Sequence, residues 1–75
     1  MKNEMFIEDI KTLALISYTN QIKVHILLKN GTWFNGIVKR VESDFCIIDD
    51  AKNGVEPVFY VTIKRIEPFT EHKGK

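Results

Sequence analysis

The chain has 75 residues, 11 basic and 10 acidic side chains, and a formal net charge of +1, which neither requires nor excludes nucleic acid. This length predicts a single domain, residues 1–75, near the size at which one core is only marginally stabilising. The lone cysteine excludes an internal disulfide and no His/Cys cluster indicates zinc, so oligomerisation is the remaining support. With no apolar run of membrane length and no stretch resembling a signal peptide, we expect a cytoplasmic protein without cofactors.

The N-terminal part predicts an amphipathic helix over residues 3–18. Its apolar positions recur at i, i+3, i+4 and i+7, namely Phe6, Ile7, Ile10, Leu13, Ala14 and Ser17. Asn3 is the expected N-cap, because its side-chain oxygen can accept a hydrogen bond from a free backbone N–H. Leu15 and Ile16 fall off this stripe. We expect the helix to cap one end of a small β-barrel over residues 22–69.

Alternating apolar and polar residues predict a strand over 23–29, the turn Asn30-Gly31, and a long return strand over 32–42. Gly36 lies inside the return strand, where a missing side chain indicates a bulge or sharp bend. Val38 and Val41 cannot both face inward on a flat strand. The second strand is therefore expected to curl over the barrel.

Three shorter strands follow. Residues 45–48 are predicted to form the third and to end at a solvated pair, Asp49-Asp50. After a polar turn, residues 55–61 form the fourth, and Pro57 indicates that its beginning lies at a sheet edge. Residues 63–68 form a fifth strand with strict alternation, and residues 70–75 are expected to be a disordered charged tail.

The order of these features resembles the Sm-like (LSm) family, and its bacterial Hfq branch in particular. The resemblance is carried by the apolar strand 24–28, Asn30-Gly31, Gly36, Glu42 and the closing segment 59–68. It implies a mainly β fold, with an N-terminal α-helix followed by a strongly bent five-stranded antiparallel SH3-type barrel. It further implies a homo-oligomeric ring of five to seven subunits, with six favoured, in which the fourth strand pairs with the neighbour's fifth. Such rings bind single-stranded RNA as RNA chaperones or ribonucleoprotein scaffolds.

The pore-side RNA pocket of the family is altered in this chain. Where the family stacks a base on an aromatic or His side chain, this sequence has Asp44, preceded by Ser43. Cys46 stands where the Sm branch has Asn, and Tyr60-Val61 replaces the family's Arg-Gly or Lys-His. Two roles remain open for Tyr60, as a substitute stacking residue or as a buried interface residue.

The opposite face offers a second candidate site. The positions matching the adenine-binding face of Hfq are Leu27, Gly31, Thr32 and Trp33. A base stacked on an indole gains about 1–3 kcal/mol. Two interpretations of Trp33 remain open, because its ring could instead pack beneath the helix or against a neighbouring subunit.

Basic side chains supply possible phosphate contacts. Lys39-Arg40 and Lys64-Arg65 are adjacent pairs on strands, and a ring would repeat them around its circumference. We expect Lys39 and Lys64 to contribute to RNA binding. In a protein that does not bind RNA, the basic pairs would instead be neutralised by Glu42 and Glu67.

No arrangement of residues indicates catalysis. His25 on the outward face of the first strand and His72 in the tail lie near no evident nucleophile, and Cys46 fits a small core residue. The predicted function is therefore an Sm-like ring that binds single-stranded RNA, not an enzyme. The alternative is an oligomeric protein-interaction or structural module that has lost RNA binding.

Overall fold

The computed structural model describes residues 4–69, so the expected N-cap Asn3 and the expected disordered tail lie outside the described residues. It contains one helix and five strands: α1 (Ile7–Asn20), β1 (Lys23–Leu28), β2 (Trp33–Val41), β3 (Phe45–Asp50), β4 (Gly54–Phe59) and β5 (Ile63–Pro68). A 3₁₀ turn, Tyr60–Thr62, joins β4 to β5. The predicted mainly β architecture, a helix followed by five antiparallel strands, is confirmed.

The helix is shifted along the chain relative to the prediction. It begins at Ile7, with Phe6 as an N-cap that provides no side-chain hydrogen bond, and it ends at Asn20. Gln21 terminates it in a left-handed conformation with φ of 54°. Its buried residues, Ile10, Ala14 and Ser17, form one stripe, and the helix packs on β2, β5 and the 3₁₀ turn.

The strands form one antiparallel sheet in the order β4-β3-β2-β1-β5. The two edges are thus β4 and β5, and Pro57 lies on an edge strand as predicted. The core side chains are each exposed by 3% or less, and their positions determine which face of each strand points inward. They are Ile10, Ala14, Val24, Ile26, Val38, Cys46, Ile48, Val58, Tyr60, Ile63 and Ile66.

The bend in β2 has two causes. At Gly36 a Cβ atom would lie 2.0 Å from the backbone oxygen of Asp49, so only glycine lets β3 approach this closely. Two residues later the pairing register jumps from Val38 to Arg40, which is a β-bulge. Because of the bulge, Val38 is fully buried and Val41 also packs against the core. The predicted bent strand is confirmed.

The last part of the sheet differs from the prediction in two respects. β4 ends at Phe59 rather than Val61, because the chain turns into the 3₁₀ segment. β5 lacks strict alternation, since its register against β1 shifts between Leu27 and Leu28. Ile63 and Ile66, three residues apart, are therefore both buried.

Candidate nucleic-acid interface

Trp33 begins β2, two residues after Gly31 of the Asn30-Gly31 turn, and is 45% exposed. Its indole lies 5.6 Å from the His25 ring, centroid to centroid, at an interplanar angle of 39°. The Lys52 ammonium lies over the indole, 5.0 Å from its centroid. The ring is therefore not buried beneath α1, which removes one of the alternatives for this residue. It presents aromatic surface next to one cation and one imidazole.

The turn and β1 bring the other predicted residues of this face together. Leu27 is the register partner of Trp33, so the two side chains lie side by side on one face of the sheet. Gly31 has φ of 94°, a conformation that favours glycine, and the Thr32 N–H donates to Asn30 Oδ1 at 2.9 Å. Leu27, Gly31, Thr32 and Trp33 thus form one continuous surface.

A polar network fixes the side of this surface next to Trp33. His25 and Asn35 are register partners, and His25 Nδ1 lies 2.6 Å from Asn35 Oδ1. The Asn35 backbone N–H donates to Asp50 Oδ1 at 2.8 Å. The imidazole beside Trp33 is therefore held by β2, and β2 is in turn tied to the end of β3.

Asp50 is buried rather than solvated, so the prediction of a solvated acidic pair is wrong for this residue. Its Oδ2 accepts backbone N–H bonds from Lys52 at 3.0 Å and Asn53 at 2.7 Å. Burial alone would raise the pKa of Asp50, but its three backbone hydrogen bonds and the Lys52 charge outweigh it and lower the pKa. The carboxylate thereby fixes the turn that carries Lys52 to the indole. Asp49 remains exposed.

On the other side of the molecule, Tyr60 occupies the core. It is 2% exposed, and its hydroxyl donates to the Glu42 backbone oxygen at 2.7 Å. Burial raises the pKa of Tyr60 to about 12. The hypothesis that Tyr60 replaces a stacking residue is therefore wrong for the described chain, because its ring offers no free face. The other prediction, a Tyr buried at a subunit interface, is right about the burial, but Tyr60 is already buried within a single chain.

Ser43 and Asp44 are exposed in the β2–β3 connection and line a cavity of about 260 Å³ beside Tyr60. The rest of its lining is mostly apolar, from Ile7, Lys11, Phe59 and Val61. The Asp44 backbone oxygen accepts the Tyr60 N–H at 3.1 Å. This side thus combines an exposed carboxylate with mostly apolar walls, in which Tyr60 is buried and Phe59 is exposed.

Lys39 and Lys64 lie apart from each other on the sheet. Lys39 lies at the β2 bulge and Lys64 at the irregularity of β5, toward opposite ends of β1. Their neighbours Arg40 and Arg65 form ion pairs with Glu42 and Glu67 respectively. Within residues 4–69 neither lysine forms an ion pair of its own.

Sequence reasoning missed four contributors to the Trp33 surface: His25, Asn35, Asp50 and Lys52. Period-2 alternation does place His25 on the same strand face as Leu27, so its position was available. Lys52 follows Trp33 by nineteen residues in a different turn, and no local pattern connects the two.

The described residues show neither a reactive thiol nor a metal centre. Cys46 is fully buried, as predicted for a core residue, and burial raises the pKa of its thiol to about 11. Among residues 4–69, no group of three His, Cys, Asp or Glu side chains is placed to hold a metal ion. In the same range, no helix has the length and apolar content needed to cross a membrane.

Comparison with solved structures identifies the fold. The chain is similar to a protein described as the pleiotropic translational regulator Hfq, in a 1.55 Å crystal structure, with a TM-score of 0.67. The match covers 81% of this chain and 97% of the other, at 15% sequence identity. No family model and no curated protein matches the sequence. The chain therefore has an Sm-like fold of the Hfq type.

Proposed function

We propose that this protein assembles into a homo-oligomeric ring and binds single-stranded RNA on the surface formed by Leu27, Gly31, Thr32 and Trp33. The observation that carries the proposal is the half-exposed Trp33 indole beside the Lys52 ammonium. An aromatic face stacks any base, and a nearby cation attracts the adjoining phosphate. The Sm-like fold supports both parts, since the resemblance implies rings that bind single-stranded RNA.

The position of Lys52 allows base stacking on Trp33 and phosphate attraction to act together. Lys52 is exposed, and its long flexible stem can leave the indole face when a base arrives while keeping the ammonium near the phosphate. A ring would repeat this pair in every subunit. Lys39 and Lys64, which form no ion pair within the described residues, would add cationic sites around the ring and help to retain the strand.

The test measures binding of short oligoA and oligoU RNA by the parent protein and by Trp33→Ala, after light scattering confirms equal mass. Losing one stacking platform per subunit should weaken binding by about 1–3 kcal/mol for each base held. Tyr18→Ala is the matched control, because Tyr18 is a similarly exposed aromatic residue, 41% accessible, on the helix. Equal binding by the parent and Trp33→Ala would contradict the proposed site.

A second function, an oligomeric protein-interaction module, is favoured by the pore-side surface. There Asp44 would repel phosphates and Tyr60 is buried, whereas exposed apolar side chains are available nearby, such as Phe59 at 49% and Val61 at 63%. If the parent protein binds neither oligonucleotide even at low salt, this second function replaces the first.

A further inference from the structure

We infer that His25 and Lys52 together bind the phosphodiester next to the base stacked on Trp33, and that His25 does so in its protonated form. RNA binding at this surface would then strengthen as the pH falls through the range in which histidine gains a proton. This inference rests on the proposed function, because it specifies how the same surface holds the RNA backbone.

The hydrogen bond to Asn35 determines which ring nitrogen of His25 can take up a second proton. An amide oxygen only accepts hydrogen bonds, so the His25 Nδ1 that lies 2.6 Å from Asn35 Oδ1 carries a proton and donates it. The second proton must therefore bind at Nε2. Protonation leaves the bond to Asn35 intact, and it converts Nε2 from an acceptor, which cannot bond a phosphate oxygen, into a charged donor.

Charged groups of both signs lie around His25 on the sheet face that it shares with Trp33. Glu67 on β5 is its register partner, so a carboxylate lies on the same sheet face, although Arg65 partly neutralises it at 3.1 Å. Lys23 lies two residues away on β1, and Lys52 lies on the indole that His25 touches. The remaining charged group of the network is Asp50, behind Asn35. His25 therefore has charges of both signs around it, and its hydrogen bond to Asn35 holds the ring in place.

Lys52 complements His25 by position. Both side chains contact the same indole, His25 at 5.6 Å and Lys52 at 5.0 Å, so a base stacked on Trp33 has its backbone within reach of both. Lys52 supplies a cationic attraction of its own. His25 supplies the pH-dependent part. The ligand class is a single-stranded nucleotide with at least one phosphodiester, rather than a free base.

The experiment measures the affinity of assembled protein for a fluorescent oligoA at about pH 6 and about pH 8 across a salt series. For the parent we expect about tenfold tighter binding at the lower pH, the size of one charge-assisted hydrogen bond. The slope of log affinity against log salt should become steeper by about 0.7 for the additional phosphate contact. The variants are His25→Gln, which retains an N–H for Asn35 but does not titrate, and Lys52→Met. His72→Gln applies the same change to the other histidine of the chain.

His25→Gln should bind equally at both pH values, near the affinity of the parent at the higher one, whereas His72→Gln should keep the full pH effect. Lys52→Met should weaken binding at both values and keep the pH effect. A pH effect that persists in His25→Gln overturns the role of His25, and unchanged affinity in Lys52→Met overturns the role of Lys52. RNA binding by the parent without any pH effect overturns this inference but leaves the proposed function intact. No binding at either pH overturns both.

Discussion

Asp50 connects three parts of the molecule through a single carboxylate, which accepts N–H bonds from β2 and from the turn after β3. Replacing it with alanine leaves three partly buried N–H donors without their partner, which costs about 1–3 kcal/mol of the free energy of unfolding. Urea denaturation of Asp50→Ala should show this loss. Asp49→Ala, an exposed change at the neighbouring position, should stay within about 0.5 kcal/mol of the parent.

The pH dependence of this contribution has a definite sign. The pKa of Asp50 in the folded protein lies below the ordinary value of 3.8. The unfolded chain therefore takes up a proton first as the pH falls, and the stabilisation is complete above 3.8 and is lost as the pH drops through the lower, folded-state pKa. Asp50→Asn should remove this part of the acid sensitivity. If Asp50→Asn and the parent lose stability in parallel on acidification, the assigned role of the carboxylate is contradicted.

Gly36 is required for a steric reason rather than a torsional one. Its missing Cβ would lie 2.0 Å from a backbone oxygen of β3, and backbone atoms cannot move aside as a flexible side chain can. Gly36→Ala should therefore cost about 1–3 kcal/mol or more, and Gly36→Val should prevent the bend altogether. Gly31→Ala is the comparison, because no atom lies within 4 Å of its Cβ position and only its φ of 94° opposes the change, at about 1 kcal/mol. Thermal melting with equal losses for the two alanine variants would contradict this distinction.

Gly36 and Asp50 differ in how far their roles could be predicted from the sequence. Gly36 was identifiable, because a glycine inside an apolar strand is itself a local signal of a bend. The burial of Asp50 was not, since one of its donors comes from Asn35, fifteen residues earlier, across a strand pairing. Trp33 lies between these cases. The sequence left both an exposed and a packed indole open, and Lys52 reaches Trp33 only through the fold.

Whether a segment forms a helix, a strand or a turn could be predicted from the sequence, but the residues at which each element begins and ends could not. The hairpin turns could be located because Gly31 and Gly54 adopt positive φ, and the Asn-Gly pairs indicate this directly. The irregularities at Lys39 and Lys64 and the 3₁₀ turn depend on the register between strands, which one strand alone does not specify. The start of the helix was predicted too early because the N-cap, Phe6, has no side-chain oxygen that would mark this position in the sequence.

For the whole molecule, the two edge strands of the sheet have backbone groups that no other strand within residues 4–69 pairs. β4 and β5 each pair on one side only within the described chain, and an exposed edge attracts another strand. Val55 at 66% and Phe59 at 49% make the β4 edge apolar as well as open. A second copy that places its β5 against β4 would cover one edge of each copy, and repetition around a closed ring would cover both edges of every subunit.

This argument predicts that a charge at the β4 edge disrupts assembly without unfolding the chain. Val55→Lys is the suitable change, because Val55 is the register partner of Asp49 and a lysine opposite that carboxylate is favourable within one subunit. Between subunits, the same lysine must be desolvated against the neighbouring strand.

Light scattering at tens of micromolar should give about five to seven subunits for the parent and a smaller species for Val55→Lys, with an unchanged circular dichroism spectrum. Leu15→Lys, which adds the same charge at a helix position 53% exposed, should leave the mass unchanged. A parent that is monomeric under these conditions would exclude the ring, and a Val55→Lys variant of full mass would exclude β4 as the edge that closes it.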